Sequence, residues 1–253
     1  MMKTRSFSEK RRAFSAFLYR RLARWITCEV HLLGNHTLAL DSKFQTNSLQ
    51  DVLCHPFYWQ LFGWLPAAPE LVVDLGAHCG HFSMLADTCF HIQFPGAEPE
   101  YVLIEPNPEL VKTIHNNLQR SKMCVRHKIY QGLAGGLRSG EATLWVSPRN
   151  YLSASLDRGA NTFGTPAQFL DLEAIVKGRR IDLLKVDIEG AEFDFVEQYP
   201  ELLGRVQSVM MEIHEAPETA QRKLYSQLQV AGLRLKGPAL QHSGYALAMF
   251  QRW

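Results

Sequence analysis

The chain has 253 residues, 46% of them hydrophobic and 21% charged, which is enough apolar material for a sizeable core and excludes a largely disordered protein. No apolar run reaches the roughly 18 residues of a membrane-spanning helix. The five cysteines are odd in number, irregularly spaced and without a CxxC pair, which reads as a reduced, cytoplasmic protein. The net charge of +2 is uneven: residues 1–26 hold eight Lys/Arg against Glu9, a net +7, and the other 19 basic and 24 acidic residues net −5. A mildly acidic body argues against nucleic acid as a partner.

In chain order, residues 10–26 read as a basic helix with Phe14, Phe17, Leu18, Leu22 and Trp25 on one stripe and Arg21 intruding. Such a helix lies on an anionic membrane surface, packs on the body or pairs in a dimer; burial against protein is the commoner use. The basic start is not followed by an uninterrupted apolar stretch and a small-residue cleavage site, so no secretory leader is expected. Cys28–Leu33 and Thr37–Leu40, split by Gly34-Asn35, predict a small hairpin. The aromatic stretch Asp51–Trp64 predicts one covering helix, ended by Pro66 and Pro69. Residues 1–69 thus form an N-terminal extension, and 70–253 the main domain.

From residue 70, short apolar strands alternate with helices. Strands are expected at Leu71–Leu75, Tyr101–Ile104, Val125–Gly132, Ile181–Ile188, Val206–Ile213, Leu233–Lys236 and Tyr245–Phe250. Helices are expected at Gly80–Phe90, Pro108–Gln119, Ala191–Leu203 and Glu218–Val230. The fold class is therefore α/β, a mostly parallel sheet with helices on both faces. Residues 137–165 break the alternation: Glu141–Val146 reads as a strand, and the polar, Gly-rich stretch after it as an insertion or lid.

Four motifs carry chemistry. In VVDLGAHCG, Asp74 ends a strand just before a Gly76-x-x-x-Gly80 turn that opens a helix, where glycines let backbone approach a ligand. An acid there repels a pyrophosphate and suits a cationic ligand. In YVLIEPN, Glu105 closes the next strand, where an acid accepts hydrogen bonds from ribose hydroxyls. The two acids beside a glycine loop suggest a nucleoside with a cationic tail, the shape of S-adenosylmethionine. In LLKVDIEGAE, Lys185 and Asp187 share a strand face. Asp187 can orient a cofactor amine, ligate a hard cation or accept a substrate hydrogen bond. Lys185 can serve as a base if its pKa is depressed, or form a salt bridge to Asp187 or Glu189. In MEIHE, Glu212 and His214 share a face near Asp187, and His214 suits proton removal near neutral pH.

Together, VVDLGAHCGHFS, YVLIEPNP, IDLLKVDIEGAEFD and MEIHE resemble the FkbM family of S-adenosylmethionine-dependent methyltransferases over residues 70–215. The resemblance implies a Rossmann-like class I methyltransferase fold of seven strands with a reversed last strand. It implies methyl transfer to oxygen, commonly a hydroxyl of a sugar, polyketide or other secondary metabolite, so a small-molecule or glycan hydroxyl is the expected acceptor. By motif, Asp74, Gly76, Ala77 and Gly80 would line the methionine part of the cofactor, Glu105 would hold the ribose and Asn107 would lie near the adenosine. Ser153 and Ser155 resemble the family's serine-bearing segment. Asp187, Glu189, Glu192, Glu212 and His214 would line the acceptor side. His78 and Cys79 stand where polar residues such as Asn are common.

His214 is the first expectation for the base and Asp187 the second. If a divalent cation such as Mg²⁺ binds, Asp187 and Glu212 are its expected oxygen ligands. Three rivals are weaker. A nicotinamide enzyme lacks its G-x-G-x-x-G. A zinc site from His78, Cys79, His81, Cys89 and His91 lacks knuckle spacing. A non-catalytic module docking through residues 10–26 predicts that no cofactor binds.

Overall fold

Five residues pair on each side of the expected antiparallel hairpin, β1 (Cys28–Leu32) and β2 (His36–Leu40), with Leu32 opposite His36. The computed structural model describes residues 28–32, 36–40, 43–120, 126–147, 150–155, 162–242 and 244–253; the expected basic helix over 10–26 lies outside them. The covering segment is two helices rather than one, α1 (Lys43–Leu53) and α2 (Pro56–Gly63). The break sits at Pro56, which takes the first helical position and holds His55 extended (φ −86°, ψ 118°). His55 then caps α2, its Nδ1 accepting from Phe57 N–H at 3.2 Å.

The alternating part follows as β3 (Leu71–Leu75), α3 (His81–Gln93), β4 (Glu100–Glu105), α4 (Pro108–Arg120), β5 (Arg126–Gln131), β6 (Glu141–Ser147), β7 (Asn150–Ser155) and β8 (Phe163–Gln168). Then come α5 (Leu172–Val176), β9 (Ile181–Val186), α6 (Glu192–Gln198), α7 (Pro200–Leu203), β10 (Val206–His214), α8 (Glu218–Val230), β11 (Leu233–Leu235), β12 (Leu240–Gln241) and β13 (Tyr245–Arg252). The helix expected over Ala191–Leu203 is split at Pro200, again at a first helical position.

The main sheet runs β11–β13–β10–β9–β3–β4–β5, with the two-residue β12 also pairing on β13. The strands β5, β4, β3, β9 and β10 are parallel, and β13 runs antiparallel to both β10 and β11. This is the expected sheet with its reversed last strand. The chain winds outward from β3 to β5, then returns to β9 on the other side of β3. The crevice at the carboxyl ends of β3 and β9 is therefore the topological switch point, where ligands bind in open α/β sheets.

Buried strands explain the near-continuous apolar runs. One face packs Val73, Leu184 and Met211 against Val176, Phe195, Leu203 and Leu224 of α5–α8. The other packs Val72, Leu183 and Met210 against Leu61, Phe82 and Ile114. The extension is thus part of the core: Phe57, Tyr58, Leu61 and Phe62 of α2 share that second cluster.

The strand expected at Glu141–Val146 is present as β6, and the stretch after it supplies β7 and β8, which flank β6 in a three-stranded antiparallel sheet, β7–β6–β8, rather than forming a lid. Leu144 and Val146 of β6 are buried, and of β8 only Ala167. Gly164 makes room for its neighbours, since a Cβ there would stand 2.7 Å from Thr143 Cγ2 and 3.2 Å from the Trp145 ring. Among the described residues no helix is long and apolar enough to cross a membrane.

Candidate active site

The loop after β3 is built on close backbone approach. Gly76 takes φ +73°, and a Cβ on it would lie 1.8 Å from the Asp187 carbonyl oxygen. Only glycine fits there. Gly76 and Ala77 both donate their N–H to Ile104 O at 3.0 Å, tying the loop to β4. Gly80, at φ +78°, opens α3. The loop and the end of β9 border a cavity of about 320 Å³, within the range of small-molecule sites.

Glu105 lines this cavity. Its Oε2 accepts from His78 N–H and its Oε1 from Asn107 N–H, both at 2.9 Å. Burial pushes its pKa up to about 7, against the pull of those donors. Asn107 is buried beside it and accepts from Glu109 N–H at 3.1 Å, capping α4. Gly76 and Glu105, expected at the cofactor, and Asp187 and Glu189, expected also or only on the acceptor side, all line this one cavity. Asp74 does not. It is fully buried beneath the loop, accepting from Ser83 Oγ at 2.7 Å and paired with Lys185 Nζ at 3.3 Å. The expectation that Asp74 faces the ligand is therefore corrected: it stands opposite Lys185 in strand register, and that charge claims it. Ala77, Gly80 and Asn107 also stand behind the cavity lining.

Sequence reasoning missed the far wall, Gly132, Leu133, Ala134 and Leu144, and Asp194 of α6. Gly132 carried a readable signal, a glycine just past a strand; a Cβ there would stand 2.6 Å from the Leu170 side chain. Ser153 and Ser155 lie on β7, but their side chains fall outside those described.

Beside the cavity, Lys185 is buried between Asp74 and Asp187 (3.2 Å) and donates to Gly76 O at 2.8 Å. Desolvation lowers its pKa, but the two carboxylates outweigh it and hold the ammonium above its usual range. The depressed pKa a lysine base needs is thus reversed, and Lys185 is the ion-pair partner instead. His214 Nδ1 sits 3.0 Å from the fully buried Glu192 Oε1, and its Nε2 3.4 Å from Glu189 and 3.8 Å from Glu212. Hydrogen bonds to Glu189 and Glu192 push its pKa up to about 10. Expected to remove a proton near neutrality, His214 instead holds one. Glu212 is pushed up to about 8 by burial and by the Asp187 charge.

On the loop's other side, Ser48 Oγ lies 2.9 Å from His78 Nδ1 and 3.0 Å from His81 Nδ1. Burial pushes these histidines down to about 4 and about 3, so both are neutral imidazoles. Among the described residues no group of three His, Cys, Asp or Glu is arranged to hold a metal. Asp187 and Glu212 are two oxygen donors with the Lys185 ammonium on Asp187, so the donor set does not fit the expected cation.

A doubly wound sheet with a reversed β13, a glycine-loop crevice and an acid closing β4 defines a Rossmann-like methyltransferase. Residues 74–235, well over half the chain, match the family model described as the methyltransferase FkbM domain. The chain belongs to the FkbM methyltransferase family. No curated protein matches it in sequence. Among solved structures it is similar to a SAM-dependent methyltransferase from Aquifex aeolicus (10% identity, 83% of this chain and 96% of that one, TM-score 0.46). It is also similar to fibrillarin from Aeropyrum pernix with natively bound S-adenosyl-L-methionine (12%, 77% and 73%, 0.47). A methyltransferase from Pyrococcus furiosus is a third (8%, 96% and 98%, 0.44).

Proposed function

We propose that the protein binds S-adenosylmethionine in the cavity at the switch point and methylates a hydroxyl of a small-molecule or glycan acceptor. The observation that carries the reading is the pairing of Gly76, held against the Asp187 carbonyl, with Glu105 across the same cavity. The residues fit the cofactor: Glu105 has acceptor oxygens for ribose hydroxyls, and Gly76 borders the same cavity. When bound, the cofactor supplies a methyl already activated on a sulfonium. The chain's task is to orient the acceptor and take its proton. Positioning can supply roughly 7–11 kcal/mol of such a barrier, and a general base about 10²–10⁴-fold.

Asp187 is the proton acceptor in this reading. It borders the cavity, its side chain is partly exposed, and Lys185 fixes its orientation. His214 serves as a fixed positive charge that holds Glu189 and Glu192 in place. A hydroxyl acceptor accords with the family's common chemistry.

The test is thermal denaturation with S-adenosylmethionine, S-adenosylhomocysteine and NADH. At about 100 times Kd, a ligand of the folded state adds about 2.7 kcal/mol, or about 5–10 °C for a chain this size. The two sulfur ligands should raise the Tm and NADH should not. No shift with either sulfur ligand would refute the reading.

A further inference from the structure

Helix α2 lies outside the residues that match the family, yet it carries a tyrosine within reach of the charges of Asp187, Lys185 and Glu212. Tyr58 is buried, at 6% exposure. Its ring packs on Phe82 with centroids 6.0 Å apart, and the Lys185 ammonium sits 5.9 Å from that same Phe82 ring. Tyr58 and Lys185 thus both lie near the Phe82 ring, and Tyr58 feels the charges of Asp187 and Lys185. Its phenol makes no hydrogen bond to a described residue. Burial first, then the charge of Asp187, holds its proton on, so the phenol is a hydrogen-bond donor.

The rings around it continue the wall. His55 meets Tyr58 edge-on at 5.8 Å and faces His242 Nε2 to Nε2 at 3.0 Å. His242 stacks on Tyr245 at 4.8 Å, and Tyr245 stands opposite His214 in the β10–β13 register. None of these rings lines the cofactor cavity, whereas Asp187 does. Asp187 borders the cavity, and its charge acts on both Tyr58 and Tyr245.

We propose that Tyr58 is an acceptor-positioning residue: its phenol hydrogen-bonds the methyl acceptor and holds the reacting group against Asp187, with Tyr245 and His242 closing that side. The N-terminal extension then completes the acceptor half of the site. This inference rests on the methyl-transfer reading.

The experiment places 3-fluorotyrosine at position 58 of the full chain and follows its ¹⁹F resonance, with calorimetry run alongside. S-adenosylmethionine should move the resonance, and S-adenosylhomocysteine, which lacks the methyl and its positive charge, should move it less. Tyr58→Phe should bind both ligands as the wild type does, showing that the phenol serves the acceptor and not the cofactor. An unmoved resonance while calorimetry reports both ligands bound would overturn the proposal. Equal shifts with the two ligands would overturn it too, by placing the ring away from the methyl. No heat with either ligand would instead defeat the methyl-transfer reading on which it stands.

Discussion

Replacing Gly76 by alanine should damage stability and cofactor binding together. The new Cβ would be 1.8 Å from the Asp187 carbonyl oxygen, where 3.0 Å is the closest real Cβ atoms come. A backbone oxygen cannot swing aside as a side chain does, so the ends of β3 and β9 must part. That strains the Asp187 N–H to Leu75 O bond (3.1 Å) and the Lys185 Nζ to Gly76 O bond (2.8 Å). A backbone hydrogen bond is worth about 1 kcal/mol and one to a charged group about 1.5–3 kcal/mol. The left-handed φ of +73° costs alanine about 1–2 kcal/mol more. The total is about 4–6 kcal/mol, which scanning calorimetry would record as a fall in Tm of about 10–20 °C. Gly63→Ala is the control: nothing lies within 4 Å of its Cβ, and helix propensity predicts a gain of about 0.5–1 kcal/mol. A Gly76→Ala protein that melts with the wild type and binds S-adenosylmethionine equally well would refute the close-approach argument.

Other perturbations test other parts. Lys185→Met leaves the buried Asp74 carboxylate without its partner, and urea unfolding should show a loss of about 3–5 kcal/mol, partly recovered when Asp74→Asn is added; wild-type stability in the single variant would contradict this. For His214 the folded pKa is raised to about 10, so its stabilisation is whole below about 6.5 and fades as pH climbs toward 10. Glu212, raised from 4.5 to about 8, acts in the same direction over an earlier window: its cost grows from about pH 4.5 and is complete above about pH 8. An NMR titration should find the His214 imidazole still protonated at about pH 8; a midpoint at the ordinary histidine value would count against its pairing with Glu189 and Glu192. Phe62→Ala removes a ring that meets Phe82 and Phe90 at 5.8 and 5.5 Å, and should cost about 3–5 kcal/mol by denaturant melt.

The parallel strands were legible because burial on both faces leaves an uninterrupted apolar run, as at Leu71–Val73 and Leu183–Leu184. Gly76, Glu105 and Asp187 were legible because each ends or follows such a run. The fate of Asp74 was not, since nothing local reveals that Lys185 stands opposite it across two strands. The charge of His214 was hidden for the same reason: it is set by Glu189 and Glu192, more than twenty residues away. Tyr58 reads as one more aromatic on an apolar helix, and only the packing on Phe82 shows that its ring lies beside that of a residue near Lys185. Strands β7 and β8, unlike β6, escaped notice because only one small face of their sheet is buried, leaving little alternation to read. The helix breaks at Pro56 and Pro200 were written in the sequence, as prolines at first helical positions.

The placing of β13 has a consequence for synthesis. It lies between β10 and β11, both of which leave the ribosome before it. Until Tyr245–Arg252 arrives, β10 presents a bare row of backbone donors and acceptors beside Val209 and Met211, the sort of edge that templates association with other chains. The late strand also meets early chain, for Gln251 Nε2 donates to Trp64 O at 3.1 Å. A nascent chain interrupted before residue 245 is therefore an unfinished sheet with an open slot, and a natural client for the chaperones that shield such edges.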